Sequence, residues 1–283
     1  MKSMRAVWVS LAMTVATTAA AQAVKVEAVQ YPAWLDRGGQ TVPLSPGIEL
    51  HASDKLRTGN NARVRLRLGE GSTVKLGENA QFVVERVQHR NVFSAALAVL
   101  AGAFRFTSEA VARARKRDIT IRARTITAGI RGTDLWGKAT DERDLVCLID
   151  GRISVTPDEG PAVTLDQPLD FYQRPRGGKG EVAKIDQKQL DIWSLETEMS
   201  KDGAAADAAG TWKVVVLAAA SRDEALAANR SLRAAGYPAR ISASGAQFRV
   251  EVTGLAGEAQ AAALASALRG LPGVREPVAQ QGR

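Results

Sequence analysis

One cysteine, two histidines and an aromatic content of 5% are the scarcities of this 283-residue sequence. Each excludes something. A lone Cys147 forbids an intramolecular disulfide, and its place inside the apolar run DLVCLID reads as a buried strand position rather than a reactive thiol. His51 and His89 are far apart and lie in no G-x-S-x-G or H-E-x-x-H setting, so neither is expected to serve as a catalytic base. With one cysteine and two scattered histidines there is no ligand cluster for a metal, and no cofactor is implied. The glycines of LGEGSTVKLGEN lack the G-x-x-x-x-G-K-[ST] spacing of a phosphate loop and read as turn residues.

Long apolar runs are also missing, apart from the N-terminus. There Lys2 and Arg5 precede an apolar stretch that ends in Ala21-Gln22-Ala23, the charge, core and A-x-A order of a secretory signal peptide. Residues 1–23 are therefore expected to be removed near Ala23, leaving a periplasmic chain from Val24 with no transmembrane segment. No cysteine follows the cleavage site to carry a lipid. Lysine and arginine total 38 against 30 acidic residues. An exported basic chain suits an acidic polymer or an anionic surface, and nucleic acid is not an expected partner. The run ARARKR, residues 112–117, is the sharpest cationic cluster.

What is present is periodicity. In ARVRLRL, Val64, Leu66 and Leu68 alternate with Arg63, Arg65 and Arg67, and Gly69 to Gly71 turn the chain into STVKL. Period-two alternation returns in DITIRART, and Asp150-Gly151 between two apolar runs signals a tight hairpin. NVFSAALAVLAGAFRF is ambiguous and leans helical. Short strands at this spacing leave no room for crossover helices, so residues 24–172 are expected to form an all-β domain, a sandwich or roll. Glycine, proline and charge rise after it, and residues 173–210 read as a flexible linker with a short helix at QKQLDIWSLETEM.

Residues 211–283 change character. TWKVVVLA is a strand, Ser221 and Glu224 make a capping box, and Gly236 with Pro238 stops the helix. Strand, helix and strand then recur as QFRVEV, GEAQAAALASALRG and GVREPV. Two such copies fit one α+β ferredoxin-like domain, a four-stranded sheet with two helices on one face. Alternation assigns Trp212, Val214, Val216, Phe248, Val250 and Val252 to the helix-facing core. Lys213, Val215, Gln247, Arg249 and Glu251 fall on the open face, with Arg240 flanking the sheet.

Among the acids, Asp134, Asp141, Glu142 and Asp144 are close enough in sequence to raise a paired-carboxylate hydrolase. Trp136 is the only aromatic residue nearby, and a solvated hairpin tip is the expected reading.

The pieces D-K-L-R-T-G at 54–59, G-S-T-V-K-L-G at 71–77, R-G-T-D at 131–134 and D-G-R-I-S-V at 150–155 occur in an order that resembles the FecR domain, a periplasmic β-module. The resemblance implies that the R-G-T turn is structural, with Arg131 paired locally and Gly132 permitting the turn. EALAANRSLRAAGYPARI followed by FRVEV is similar to the SPOR domain, a peptidoglycan-binding module that holds glycan strands on its exposed sheet face. That resemblance implies a non-enzymatic envelope protein whose peptidoglycan-binding residues are Lys213, Val215, Gln247, Arg249 and Arg240. An envelope protein is a possible partner of the β-domain. Val215 and Ala218 to Ala220 stand where the family carries a glutamine and a G-S-F-like ending. The alternative is an envelope signalling or scaffold protein whose SPOR-like domain binds protein instead of glycan.

Overall fold

A computed structural model describes residues 24–89, 92–108 and 117–282; the expected signal peptide and the cationic residues 112–116 lie outside them. In chain order the first strands are β1 (Val24–Gln30), β2 (Ala33–Arg37), β3 (Gln40–Pro43), β4 (Glu49–Leu50), β5 (Lys55–Thr58), β6 (Arg63–Arg67), β7 (Thr73–Leu76), β8 (Gln81–His89) and β9 (Phe93–Thr107). Then come β10 (Arg117–Ala123), β11 (Ile126–Ile130), β12 (Asp134–Ala139), β13 (Arg143–Asp150), β14 (Ile153–Pro157), β15 (Val163–Leu165), β16 (Asp170–Pro175) and β17 (Glu181–Lys184). Helix α1 (Gln187–Leu195) and β18 (Ala205–Asp207) lead into β19 (Trp212–Ala219), α2 (Arg222–Ala234), β20 (Arg240–Ser244), β21 (Gln247–Leu255), α3 (Glu258–Leu268) and β22 (Val278–Gln281).

The first half is all-β, as expected, and is built as two facing sheets. One runs β4-β1-β6-β7-β9-β12-β13-β16-β17. The other runs β3-β2-β5-β8-β9-β10-β11-β14-β15. Alternation drives the inner faces together: Val64, Leu66, Val74, Phe104, Phe106 and Leu135 of the first meet Leu56, Phe82, Leu97, Ile121, Ile126 and Val155 of the second in one buried core. The arginines of β6 point outward, where Arg65 and Arg67 lie 3.0 and 3.2 Å from the Glu27 carboxylate.

Strand β9 belongs to both sheets. Its first part pairs with β8 and, in parallel, with β10; its last part pairs with β7 and β12. The stretch that leaned helical is thus one bent strand, and the bend falls at Gly102, whose φ is +86° and where a Cβ would sit 2.6 Å from Ala80 Cα. Small residues without turn signals hid the strand, because alanine-rich apolar runs carry no diagnostic period.

The expected hairpin at Asp150-Gly151 is a different object. β13 pairs with β12 and β16, whereas β14 pairs with β11 and β15. Asp150 to Arg152 therefore carry the chain from one sheet to the other. The R-G-T turn, between β11 and β12, makes the same crossing, and the two corners touch: a Cβ on Gly151 would lie 2.5 Å from the Gly132 carbonyl oxygen. Gly132 and Gly151 have φ of +77° and +89°. Two residues between apolar runs suit a hairpin or a sheet switch equally, and the face each run must bury decides.

Residues 173–210, expected to be a flexible linker, are packed. Trp193 of α1 stacks on Trp136 at 4.9 Å between ring centroids, over the outer face of the first sheet, and meets Phe171 edge-on at 6.1 Å. Just beyond the helix Glu196 lies 2.6 Å from Lys138, and Glu198 lies 2.6 Å from Lys75 and 3.5 Å from Arg105. β18 then pairs with β1 on one side and with β21 on the other.

The last seventy residues follow the expected order. Ser221 Oγ accepts from Glu224 N at 3.2 Å, while the Glu224 carboxylate turns to Arg275 at 2.6 Å. Gly236 ends α2 at φ +86°. The final strand lies a few residues later than GVREPV, at Val278–Gln281. The sheet order is β20-β21-β19-β22, all antiparallel.

Candidate glycan-docking face and its family

Registers place the C-terminal side chains in rows across this sheet. Ser244 faces Gln247; Ser242, Arg249 and Ala218 form the next row; Arg240, Glu251, Val215 and Val278 the third; Thr253, Lys213 and Gln280 the fourth. Val214, Val216, Val250 and Val252 point the other way and are fully buried under α2 and α3, and Trp212 and Phe248 pack on that core while staying partly exposed. A register shift between Val215 and Leu217 changes the alternation, so that Leu217 and Ala219 complete the core and Ala218 joins the open face.

All five expected residues, Lys213, Val215, Gln247, Arg249 and Arg240, therefore share one face. They are not equally available. Lys213 Nζ is 3.2 Å from Glu251 Oε2, so that lysine is engaged. Arg240, on the edge strand, lines a crevice with Val42, Pro43, Pro46 and Arg233. Gln247 is exposed at the opposite end of the sheet from Lys213, and Arg249 is half-buried in the middle. A shallow hollow of about 390 Å³ opens beside Lys213, walled by Trp212, Thr253, Gly210 and Gly282. Ser242, Ser244, Thr253, Val278 and Gln280 extend the face. Alternation along β20 and β22 carries the signal for them, once the ends of those strands are fixed.

The acids of the β-domain are occupied. Arg105 donates to both oxygens of Asp134 at 3.0 and 2.8 Å, and Thr107 adds a third bond at 3.2 Å; this carboxylate in turn holds the Arg105 guanidinium charged. Asp144 is fully buried, accepting from Thr125 Oγ1 at 2.7 Å and from Arg176 at 3.2 and 3.3 Å. Only Asp141 and Glu142 form the solvated tip that was expected of the whole group, and Arg124 reaches Asp141 at 3.0 Å. Arg131, expected to pair locally, is exposed and makes no hydrogen bond or ion pair among the described residues. Burial pushes the Cys147 thiol up to about 12, in keeping with an inert strand residue. His51 is exposed, and no group of metal-ligating side chains occurs among the described residues.

A two-sheet β-domain joined to a β-α-β-β-α-β unit defines the class of protein. Sequence comparison then places its two parts: residues 54–154 match the FecR protein family and residues 208–275 the SPOR domain, in that order. β1 to β4 precede the FecR match yet supply strands to both sheets. No curated protein matches the chain. Two crystal structures of a candidate anti-sigma factor from Parabacteroides distasonis ATCC 8503 are similar to it, each with a TM-score of 0.43. The one at 1.65 Å is 15% identical and covers 50% of this chain and 64% of its own. The one at 2.50 Å is 12% identical and covers 81% of this chain and 99% of its own. No helix among the described residues is long and apolar enough to cross a membrane.

Proposed function

We propose that this chain is an exported, non-enzymatic protein of the periplasm that docks on peptidoglycan glycan strands through the sheet face bearing Lys213, Val215, Gln247 and Arg249, with Arg240 at its edge. In this reading residues 1–23 are a signal peptide, 24–172 the FecR-like β-domain, 173–210 the connection and 211–283 a ferredoxin-like SPOR domain. The observation that carries the reading is the coincidence of the SPOR match with a polar sheet face turned away from α2 and α3, on which Gln247 and Gln280 are exposed and Ser242, Arg249 and Thr253 half-buried. Polyhydroxylated glycan is bound by donors and acceptors on a rigid surface, and Arg249, Gln247, Ser242 and Thr253 offer both. A non-enzymatic role is supported by the engagement of Asp134 and Asp144 with Arg105 and Arg176. The β-domain is left to meet a second envelope component.

Co-sedimentation of the full chain with purified sacculi, before and after amidase removal of stem peptides, tests this. Binding should rise on stripping and fall by about tenfold in Arg249→Glu, since a charge-assisted contact is replaced by a repulsive one. The protein-binding alternative is favoured by Val215, an apolar residue in the third row beside the exposed Val278. Indifference to both kinds of sacculus would select it.

A further inference from the structure

Away from the SPOR half, the outer face of the second sheet holds a notch. Register sets Thr120 opposite Gly129, Gly129 opposite Ser154 and Ser154 opposite Thr164. Two hydroxyl side chains, Thr120 and Ser154, thus flank one position with no side chain, and Thr164 follows one strand further out. The backbone there does not demand glycine: the nearest atom to an added Cβ would be the Ser154 carbonyl oxygen, at 3.7 Å. The result is a trough of about 630 Å³ walled by Arg117, Asp118, Arg131, Arg152, Ser154 and Thr164. Its floor is rigid, because Ile119, Ile130, Ile153 and Leu165 on the same strands are buried in the core at 2% exposure or less.

We propose that this trough is a binding site for an acidic peptide segment, whose carboxylates are taken by Arg131 and Arg152 while its backbone lies over Gly129 and bonds to the hydroxyls of Ser154 and Thr164. Guanidinium groups recognise carboxylates through paired N–H donors. Arg131 is exposed and has no partner among the described residues, and the Arg152 contact with Asp166 is a long 3.3 Å between two well-exposed side chains. Both are available at low cost. Asp118 lines the trough and Asp166 stands beside it, so the surplus of positive charge is small. That balance suits singly charged carboxylates rather than dianionic phosphate. No aromatic residue among the described residues lines the trough, and a sugar ring would find none of them to stack on. Four strands at about 4.8 Å spacing give a width suited to a short extended segment. The site is independent of the glycan reading, since it lies on the other half of the chain.

The test is fluorescence anisotropy of labelled hexaglutamate with the full chain, against hexaglutamine and with inorganic phosphate as competitor. Saturable binding to hexaglutamate alone is expected. Arg131→Glu should weaken it by about tenfold. Gly129→Leu should weaken it comparably with every charge in place, because it fills the notch. Arg222→Glu, an equal charge change on an exposed residue of α2, should leave it unaltered. Equal binding of hexaglutamine, displacement by equimolar phosphate, or equal losses in Arg131→Glu and Arg222→Glu would overturn the proposal. Sacculus co-sedimentation should be the same for wild type and Gly129→Leu, which separates this site from the sheet face of the SPOR domain.

Discussion

At the scale of single residues, Gly151 and Gly132 answer for the crossing between the sheets. The two corners are in contact, and each backbone holds a φ that side chains disfavour. Gly151→Ala adds a Cβ where a carbonyl oxygen already stands, so it should lower stability by about 2 kcal/mol or more, read as a fall in thermal midpoint. The Asp-Gly pair was legible as a turn. Its role as a corner was not, because the pairing partners of β13 and β14 are distant strands. Arg131 is a second case. The R-G-T-D motif was legible, but the neighbouring Asp134 is taken by Arg105, twenty-nine residues earlier in sequence, and Arg131 is left facing water.

At the scale of elements, helix α1 shows why composition misled. Residues rich in glycine and charge suggested a loose connection, yet Trp193, Glu196 and Glu198 each find a partner on the outer face of the first sheet. Trp193→Ala removes the stack on Trp136, whose ring is fully buried beneath it, and should cost about 2 kcal/mol. Limited proteolysis is the matching readout: cleavage within 185–204 should accelerate in the variant and stay slow in the wild type. α2 behaved differently, since its Ser221 cap and Gly236 stop are local signals that no distant contact has to supply. The open face of the SPOR sheet lies between these cases. Period-two alternation assigned Lys213, Val215, Gln247 and Arg249 to one side, and the irregularity after Val215, which brings Ala218 to the same side, has no signature of its own.

At the scale of the whole molecule, the two halves share a core and a continuous run of paired strands. Trp34 donates through Nε1 to the Ala234 carbonyl at 3.0 Å, Gly236 leaves room for its ring, and Tyr31 and Tyr237 meet at 6.2 Å between centroids. Burial raises the pKa of both tyrosines, so this contact stays neutral through the physiological range. The acid limit is set elsewhere. Arg57 holds the Asp36 carboxyl below its ordinary value. Burial works against ionisation of Asp54, but hydrogen bonds from Arg37 and from the backbone N–H of His51 outweigh it and lower that carboxyl too. Carboxyls depressed in the folded state add stability that is in place above their unfolded value of 3.8 and is lost as pH falls through the lower folded values. The thermal midpoint should therefore drop on acidification below about pH 4. An Asp36→Asn, Asp54→Asn double variant should show a lower midpoint at neutral pH and a shallower drop.

By itself the sequence determined the elements with a local period or a local stop: the alternating strands of the β-domain, the capped helix α2 and paired β-α-β units of the C-terminal half, and the FecR and SPOR motifs in their order. Each rests on interactions within a few residues, so the chain's own spacing carries the information. Tertiary structure alone decided which strand lies beside which, that β9 bends to serve both sheets, that Asp150-Gly151 crosses between sheets, and that the connecting segment is packed. It also decided that Arg131, Arg152 and Arg117 meet around Gly129. Those outcomes depend on burying particular faces against partners tens of residues away, and no local window contains both sides of such a contact.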